Sequence, residues 1–396
     1  YLLYDAESFT ATAGGPYGIY SMDVVPQVKI SAVNLDVRAN GGGCYVDGKY
    51  YAIEYTSKYG SINSCKLQTY NASTWTQEAS VDASQKAIAT TMTYNPVDKQ
   101  IYGCFFDNED DVFVFGTLDL ATAAPKPIKV LSFAFRALAA DADGSIYCIN
   151  EDGDLYRYDA SESDFVKIGA TGFVPKNVQD ATFDYGTRQL YWAALNDTES
   201  GIYTVDIKTG AATKISSYVT GEKEFSTLYS TAPVYEAMQP GMVEKVQLEF
   251  AEGAVDGTVK FVMPAVSYGG SELSGTLKYT ISVDGENEAA ADATAGAQVS
   301  VPLTLKRGDH RMVISVANDK GDGPAFNIHR FFGVDVPSAV TNFKAIRKNG
   351  QIHLSWNAVT TGANGGMFDV KKVSYNITRQ PDNVVVAANL NATEFV

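Results

Sequence analysis

The sequence predicts an all-β protein, on three observations. Short apolar and aromatic runs alternate with turn residues along the whole chain. Aromatic residues make up 12% of the 396 residues, and glycine contributes 34, which suits pleated, half-buried surfaces joined by tight turns. One pattern also recurs through the first 235 residues: an aliphatic or aromatic pair closed by an acid or amide. Its copies close at Asp23, Asn71, Asp119, Asp159 and Asp206, spaced by 48, 48, 40 and 47 residues. A period in the forties built from short strands specifies stacked or radial sheets.

Each repeat reads as four strands, a to d. A second landmark, a turn followed by tyrosine, aligns Tyr51, Tyr102, Tyr147 and Tyr191. Asp-Gly between apolar runs marks the a–b hairpin, because glycine accepts positive φ. In one repeat, strand a ends at Asp141, b is 145–150, c is 154–159 and d is 165–170. Four-stranded antiparallel units at this period are propeller blades. The first unit lacks strand a. Residues 1–8 supply its strand b, and residues 225–230 fall on period as the missing strand. The expectation is a five-bladed β-propeller over residues 1–235, with six blades as the alternative.

The repeat stops after Pro233, and residues 238–241 read as a linker. Residues 236–336 carry alternating runs at 246–250, 258–263, 276–283, 298–305, 311–317 and 325–332, the pattern of a β-sandwich. Residues 337–396 begin a second copy, in which 259–266 aligns with 352–359 and Tyr279-Thr280-Ile281-Ser282 with Tyr375-Asn376-Ile377-Thr378. That copy is incomplete at its C-terminal end, so the native chain is expected to continue past Val396.

Val340-Thr341-Asn342-Phe343, Ile352-His353-Leu354-Ser355-Trp356 and Val373-Ser374-Tyr375-Asn376-Ile377 resemble strands A, B and C of a fibronectin type III domain. Residues 236–336 resemble a diverged fibronectin type III or immunoglobulin-like relative, with Phe261 nearest the place of the tryptophan. A propeller followed by such modules resembles secreted and cell-surface proteins of Bacteroidales-type bacteria. The resemblance implies an exported protein at the cell surface or outside the cell.

Charge and motifs narrow the function. A net charge of −15 disfavours nucleic acid as a partner. No apolar run approaches the ~18 residues of a membrane helix. His310, His329 and His353 all lie beyond residue 235, so the repeat region has no histidine for a metal centre or a Ser-His-Asp triad. Nucleophile-elbow, P-loop and dinucleotide fingerprints are absent from the sequence. Cys44, Cys65, Cys104 and Cys148 form no CxxC motif and read as small buried residues, with their disulfide state open.

In this strand order the b–c and d–a connections share one end of the ring. The b–c loops 5–17, 54–64, 107–111, 150–154 and 196–201 each carry or adjoin an acid, so this end is expected to be acidic. Such a face suits a basic peptide, a divalent cation or a hydroxyl-rich glycan. The ligand-binding candidates are Asp107, Glu151, Asp180 and Asp197 for charge, and Arg136 as counter-charge. Tyr59 and Trp192 are the candidate flat rings for a sugar face. Trp192 is preferred to its neighbour Tyr191 because alternate strand residues face opposite ways. No metal-ligand set is expected and no cofactor, calcium being the one cation the acidic loops would suit. The leading expectation is non-catalytic binding of a glycan or protein partner. One alternative is a glycan- or peptide-processing enzyme using Asp180 with Glu151 or Asp107. The other is a structural component of an envelope assembly.

Overall fold

The structure, a computed structural model, describes residues 2–4, 18–24, 28–37, 41–58, 61–84, 87–177, 179–217 and 225–396. The chain divides into two compact units, Tyr1–Tyr235 and Glu236–Val396. Among the described residues it is all-β apart from one 3-10 turn at Val370–Lys372.

In the first unit the described residues form five four-stranded antiparallel sheets. The first holds β1 (Leu2–Tyr4), β2 (Gly18–Asp23) and β3 (Lys29–Asn34). The second holds β4 (Gly43–Val46), β5 (Lys49–Lys58), β6 (Ser61–Asn71) and β7 (Gln77–Asp82). The third holds β8 (Ile88–Tyr94), β9 (Ile101–Asp107), β10 (Val112–Asp119) and β11 (Ala124–Leu131). The fourth holds β12 (Phe135–Ala140), β13 (Ile146–Asn150), β14 (Asp154–Asp159) and β15 (Asp164–Ala170). The fifth holds β16 (Asp180–Asp184), β17 (Gln189–Leu195), β18 (Ser200–Val205) and β19 (Ala212–Ser217). β20 (Phe225–Leu228) returns to the first sheet, where Leu2 pairs with Leu228 and Tyr4 with Phe225. The two ends of the unit therefore share one sheet.

Apolar cores lie between successive sheets, which gives the unit its propeller-like character. Leu67 and Cys65 meet Met92 and Phe105 between the second and third sheets. Cys104 and Phe115 meet Phe135 and Cys148 between the third and fourth. Tyr147 and Ile149 meet Phe183 and Trp192 between the fourth and fifth. Ala193 and Ile202 of the fifth meet Tyr20 and Phe225 of the first, and Ile19 meets Tyr50 and Tyr70 between the first and second. The a strands also bond laterally: Gly42 N–H donates to Ala89 O at 2.7 Å, and Leu138 N–H to Thr91 Oγ1 at 2.9 Å. A Cβ on Gly42 would meet the Thr91 backbone at 2.7 Å, so this approach requires glycine.

The closing acid of each repeat is a turn device. Asn71, Asp119 and Asp206 each accept two backbone N–H groups from the next residues, and Asp159 accepts that of Ser161. Trp75, Ala123, Ser163 and Gly210 then take the left-handed conformation, at φ of 60°, 52°, 50° and 85°. The acid recurs because this c–d turn recurs. The outer strands carry Pro125, Lys126, Pro127 and Lys129 on β11, Lys167 on β15 and Lys214 on β19. Proline and lysine make these edges poor templates for added strands.

The second unit contains two successive pairs of sheets. In the first pair, β21 (Glu244–Phe250), β22 (Asp256–Val262) and β25 (Gln298–Thr304) face β23 (Thr276–Val283), β24 (Glu286–Thr294), β26 (Gly308–Asn318), β27 (Gly321–Asp322) and β28 (Phe326–Phe332). Val259, Phe261, Ile281, Met312 and Ile314 fill the space between them. Then β29 (Lys344–Lys348), β30 (Gln351–Ser355) and β33 (Glu394–Phe395) form one sheet, and β31 (Tyr375–Arg379) and β32 (Val384–Leu390) another. Trp356 meets Tyr375 edge to face at 5.3 Å. Asp335 anchors the start of this second pair: its carboxylate accepts from Asn364 N–H and Gly366 N–H at 2.7 and 3.0 Å.

One expectation needs correcting, and one strand is added. β24 is not among the runs expected from the sequence, because Ala, Glu, Asn and Asp have low strand propensity. It is an exposed edge strand held by its register with β23. Residues 54–64 are not an open loop. β5 and β6 continue past Glu54 to the Lys58↔Ser61 pair, and Thr56 Oγ1 meets Ser64 Oγ at 2.8 Å. Serine and threonine extend the ladder here because their hydroxyls pair across it. The four cysteines are free and buried, in keeping with the reading of them as small buried residues.

Candidate functional site

The b–c end of the first unit is built from the loops after β9, β13 and β17 and the connections into β12 and β16. Glu151 N–H donates to Ala134 O at 3.0 Å, and Lys176 N–H to Leu195 O at 2.8 Å. The b–c and d–a connections do therefore meet at one end.

Asp180 opens β16 and is 0% exposed. Thr91 Oγ1 donates to its Oδ1 at 2.6 Å, and Leu228 N–H to its Oδ2 at 3.2 Å. Thr91 itself accepts from Leu138 N–H, so the threonine proton must point at Asp180. One carboxyl group thus joins three neighbouring a strands to its own. Burial pushes its pKa well up, against the hydrogen bonds from Thr91 and the backbone. With no exposed atom, Asp180 cannot be a ligand contact or a catalytic acid in this structure. It is an internal tie between sheets.

Trp192 is also 0% exposed, with Phe173 edge-to-face at 5.3 Å and Tyr203 at 5.9 Å. Strand alternation correctly puts Tyr191 and Trp192 on opposite faces. Both faces, however, are covered by neighbouring sheets, Tyr191 by the first and Trp192 by the fourth. In a radial stack alternation distinguishes two interiors, not inside from outside. Trp192 and Phe173 are core residues and offer no sugar platform.

The acids at this end are mostly spoken for. Glu151 pairs with Arg136 at 3.2 Å, Asp154 with Lys167 at 2.5 Å, Glu199 with Lys214 at 2.5 Å, and Asp197 with Lys176. Asp107 is 8% exposed and caps its own turn, accepting from Glu109 and Asp110 N–H. Four acids of the expected acidic face are therefore paired with cations, and a fifth, Asp107, is a turn cap. The cations come from d strands, a d–a connection and, for Arg136, the start of β12, 13 to 21 residues away, a separation that hides the pairing in the sequence. Asn150 Oδ1 accepts from Asp152 and Asp154 N–H, so 150–154 is a capped turn. Among the described residues no group of three or more His, Cys, Asp or Glu side chains is arranged to hold a metal ion. Tyr59 lies outside the described residues.

The structure therefore pairs the candidates Arg136 and Glu151 with each other and the candidate Asp197 with Lys176, and it buries Asp180 and Trp192. Sequence reasoning missed the half-buried aromatics beside the first pair. Phe106 and Phe113 are in contact at 5.2 Å, and Phe133 stacks on Tyr156 at 5.7 Å. Cys104 lies in the core on which Phe113, Phe133 and Tyr156 pack, and burial pushes its thiol up to about 11. It is an inert thiol at neutral pH. The available signal was the position of these aromatics at strand ends next to b–c and d–a connections.

Comparison with known proteins adds little. No protein-family model matches the chain, and no curated protein does. Among solved structures it is similar to an exo-β-1,3-galactanase from Phanerochaete chrysosporium, at 11% identity and TM-score 0.30, over 72% of this chain and 78% of that one. It is similar to a protein from Lactobacillus plantarum at 8% identity and TM-score 0.31, over 98% and 95% of the two chains. It is also similar to the extracellular domain of a one component system from B. thetaiotaomicron, at 10% identity and TM-score 0.26, over 78% and 50%. Likenesses this distant carry no functional argument. No helix among the described residues is long and apolar enough to cross a membrane.

Proposed function

We propose that the first unit is a five-bladed β-propeller whose b–c end is a non-catalytic ligand-binding face, serving an exported protein at the cell surface or outside the cell. Its ligand is a glycan or a protein partner. Residues 236–336 and 337–396 are fibronectin type III-like sandwiches that space or display this face. Propellers host many activities, so the argument rests on the site and not on the fold.

One observation carries the reading. Five acids at the b–c end, Asp107, Glu151, Asp154, Asp197 and Glu199, are held in ion pairs or a turn cap, while half-buried aromatic rings lie at the same end. Charge-paired side chains beside partly exposed rings suit recognition. Hydrolysis by paired carboxylates needs two acids free to exchange protons about 5–10 Å apart, and Asp180 is sealed from solvent. The test is a combined glycan and protein array probed with the full chain, alongside Arg136→Ala and Lys176→Ala. Hits weakened by either substitution support the reading. A silent array, or hits indifferent to both, overturns it.

A further inference from the structure

At the b–c end, the seam between the third and fourth sheets gathers side chains that fit one ligand class. Phe113, Phe133 and Tyr156 pack on the core of this seam; Phe106 packs on the core between the second and third sheets but touches Phe113 at 5.2 Å beside the 107–111 loop. Phe133 stacks on Tyr156 with planes 28° apart. All four rings are half-buried, so each keeps part of its surface for a ligand. Arg136 follows Phe133 by three residues, and its Nη2 holds Glu151 Oε2 at 3.2 Å. The side chains of this pair are 25% and 39% exposed, so both reach solvent. Glu151 N–H donates to Ala134 O at 3.0 Å, which sets the pair beside Phe133.

The pair is electrically neutral as a unit. A guanidinium offers only donors and a carboxylate only acceptors. Two adjacent hydroxyls match both, accepting from Arg136 and donating to Glu151, and the ion pair stays intact. A ligand carboxylate would instead compete with Glu151, and a ligand ammonium with Arg136. The partly exposed ring faces suit the C–H face of a pyranose. We propose that the mouth of this seam is a subsite for a neutral hexopyranose unit of a glycan. The proposal rests on the binding-face reading above and narrows it to one place and one class.

The test is saturation-transfer NMR on the full chain with three probes: neutral hexose tetrasaccharides, oligouronates and glucosamine oligomers. Neutral probes are expected to show transfer at ring C–H protons, with affinity little changed between low and high salt, since no net charge is screened. Phe133→Leu keeps apolar volume in the seam, and Glu151→Gln keeps shape. Each should weaken binding by roughly tenfold, the equivalent of one lost contact of about 1.4 kcal/mol, while the melting temperature confirms an intact fold. Binding of only the charged probes overturns the proposal. So does binding of neutral probes that both variants leave unchanged but Lys176→Glu abolishes, and in that case the binding-face reading stands. Silence of all three probes overturns the neutral-glycan subsite, and silence of the protein array as well overturns both readings.

Discussion

Arg188, in the turn after β16, closes on Asp141, the residue that follows β12 in the neighbouring sheet. Its Nε lies 3.2 Å from Asp141 Oδ1, and its Nη2 2.5 Å from Oδ2. A second contact, 3.2 Å from Nη2 to Asp143 Oδ2, adds a further acid. Asp141 is 2% exposed, so this fork is the counter-charge that its burial demands. Arg188→Met should lower stability by roughly 2–3 kcal/mol, somewhat under a fully buried pair because the arginine is partly exposed. Chemical denaturation of the full chain checks this, and a change within about 0.5 kcal/mol would discount the fork.

Asp180 is a second tie, made by one acid with neutral donors. Asp180→Ala leaves the Thr91 hydroxyl and Leu228 N–H without their acceptor, at a cost of about 1–3 kcal/mol for each unmatched group. Asp180→Asn keeps one acceptor oxygen but turns an amide against a donor, so its loss should fall between wild type and alanine. If alanine is tolerated as well as asparagine, the tie does not hold the sheets.

Trp192→Ala should act on stability and not on ligand affinity. Removing a buried tryptophan costs about 3–5 kcal/mol, while Trp192→Phe retains much of the contact with Phe173 and Tyr203. Ligand affinity measured on the phenylalanine variant should match wild type. A selective loss of affinity would show that Trp192 reaches the ligand after all.

In the second unit, His310 Nδ1 lies 2.5 Å from Asp284 Oδ2 and Nε2 2.9 Å from Lys306 O. Both partners accept, so both ring nitrogens must donate, and the imidazolium is the matching form. Burial pulls the His310 pKa down, but the Asp284 and Lys306 contacts outweigh it and the net shift is upward. The stabilisation is then complete below the unfolded histidine value of about 6.5 and is lost as pH rises through the higher folded value. Stability of this unit should therefore decline as pH rises above the unfolded histidine value and through the higher folded one. Asp284→Asn should flatten that slope, as followed by denaturant titration at stepped pH. An unchanged slope in the variant would remove the pair as its source.

Ser163 is an exposed residue at φ 50° in the turn after β14. A left-handed residue with a Cβ costs roughly 1–2 kcal/mol, and glycine returns part of that in unfolded-state entropy. Ser163→Gly should therefore be neutral to stabilising by up to about 1 kcal/mol. A measurable loss of melting temperature would show that the serine side chain matters more than the backbone.

How much of this was legible follows from where the information sits. The repeat was readable because Asn71, Asp119, Asp159 and Asp206 each solve the same local turn problem, and local problems leave marks at fixed spacing. The pairing of β1 with β20 was readable from the same period. The partners of Glu151 and Asp197 were not, because each lies in a separate connection and meets its acid only after folding. Trp192 was misplaced because residue alternation gives a direction without saying what lies there. β24 was missed because its register with β23, not its composition, makes it a strand.

The turn acids have a further consequence. They repeat one turn at the c–d corners, while at the b–c end Asp107, Asn150 and Asn196 each cap a turn of their own. Loops of different length and composition at that end, such as 107–111 and 196–201, sit on one repeating frame. Such a molecule can acquire a new specificity by altering one end while the other keeps the chain in register. Loop exchange at 107–111, between Asp107 and Val112, is the natural place to begin re-engineering what it recognises.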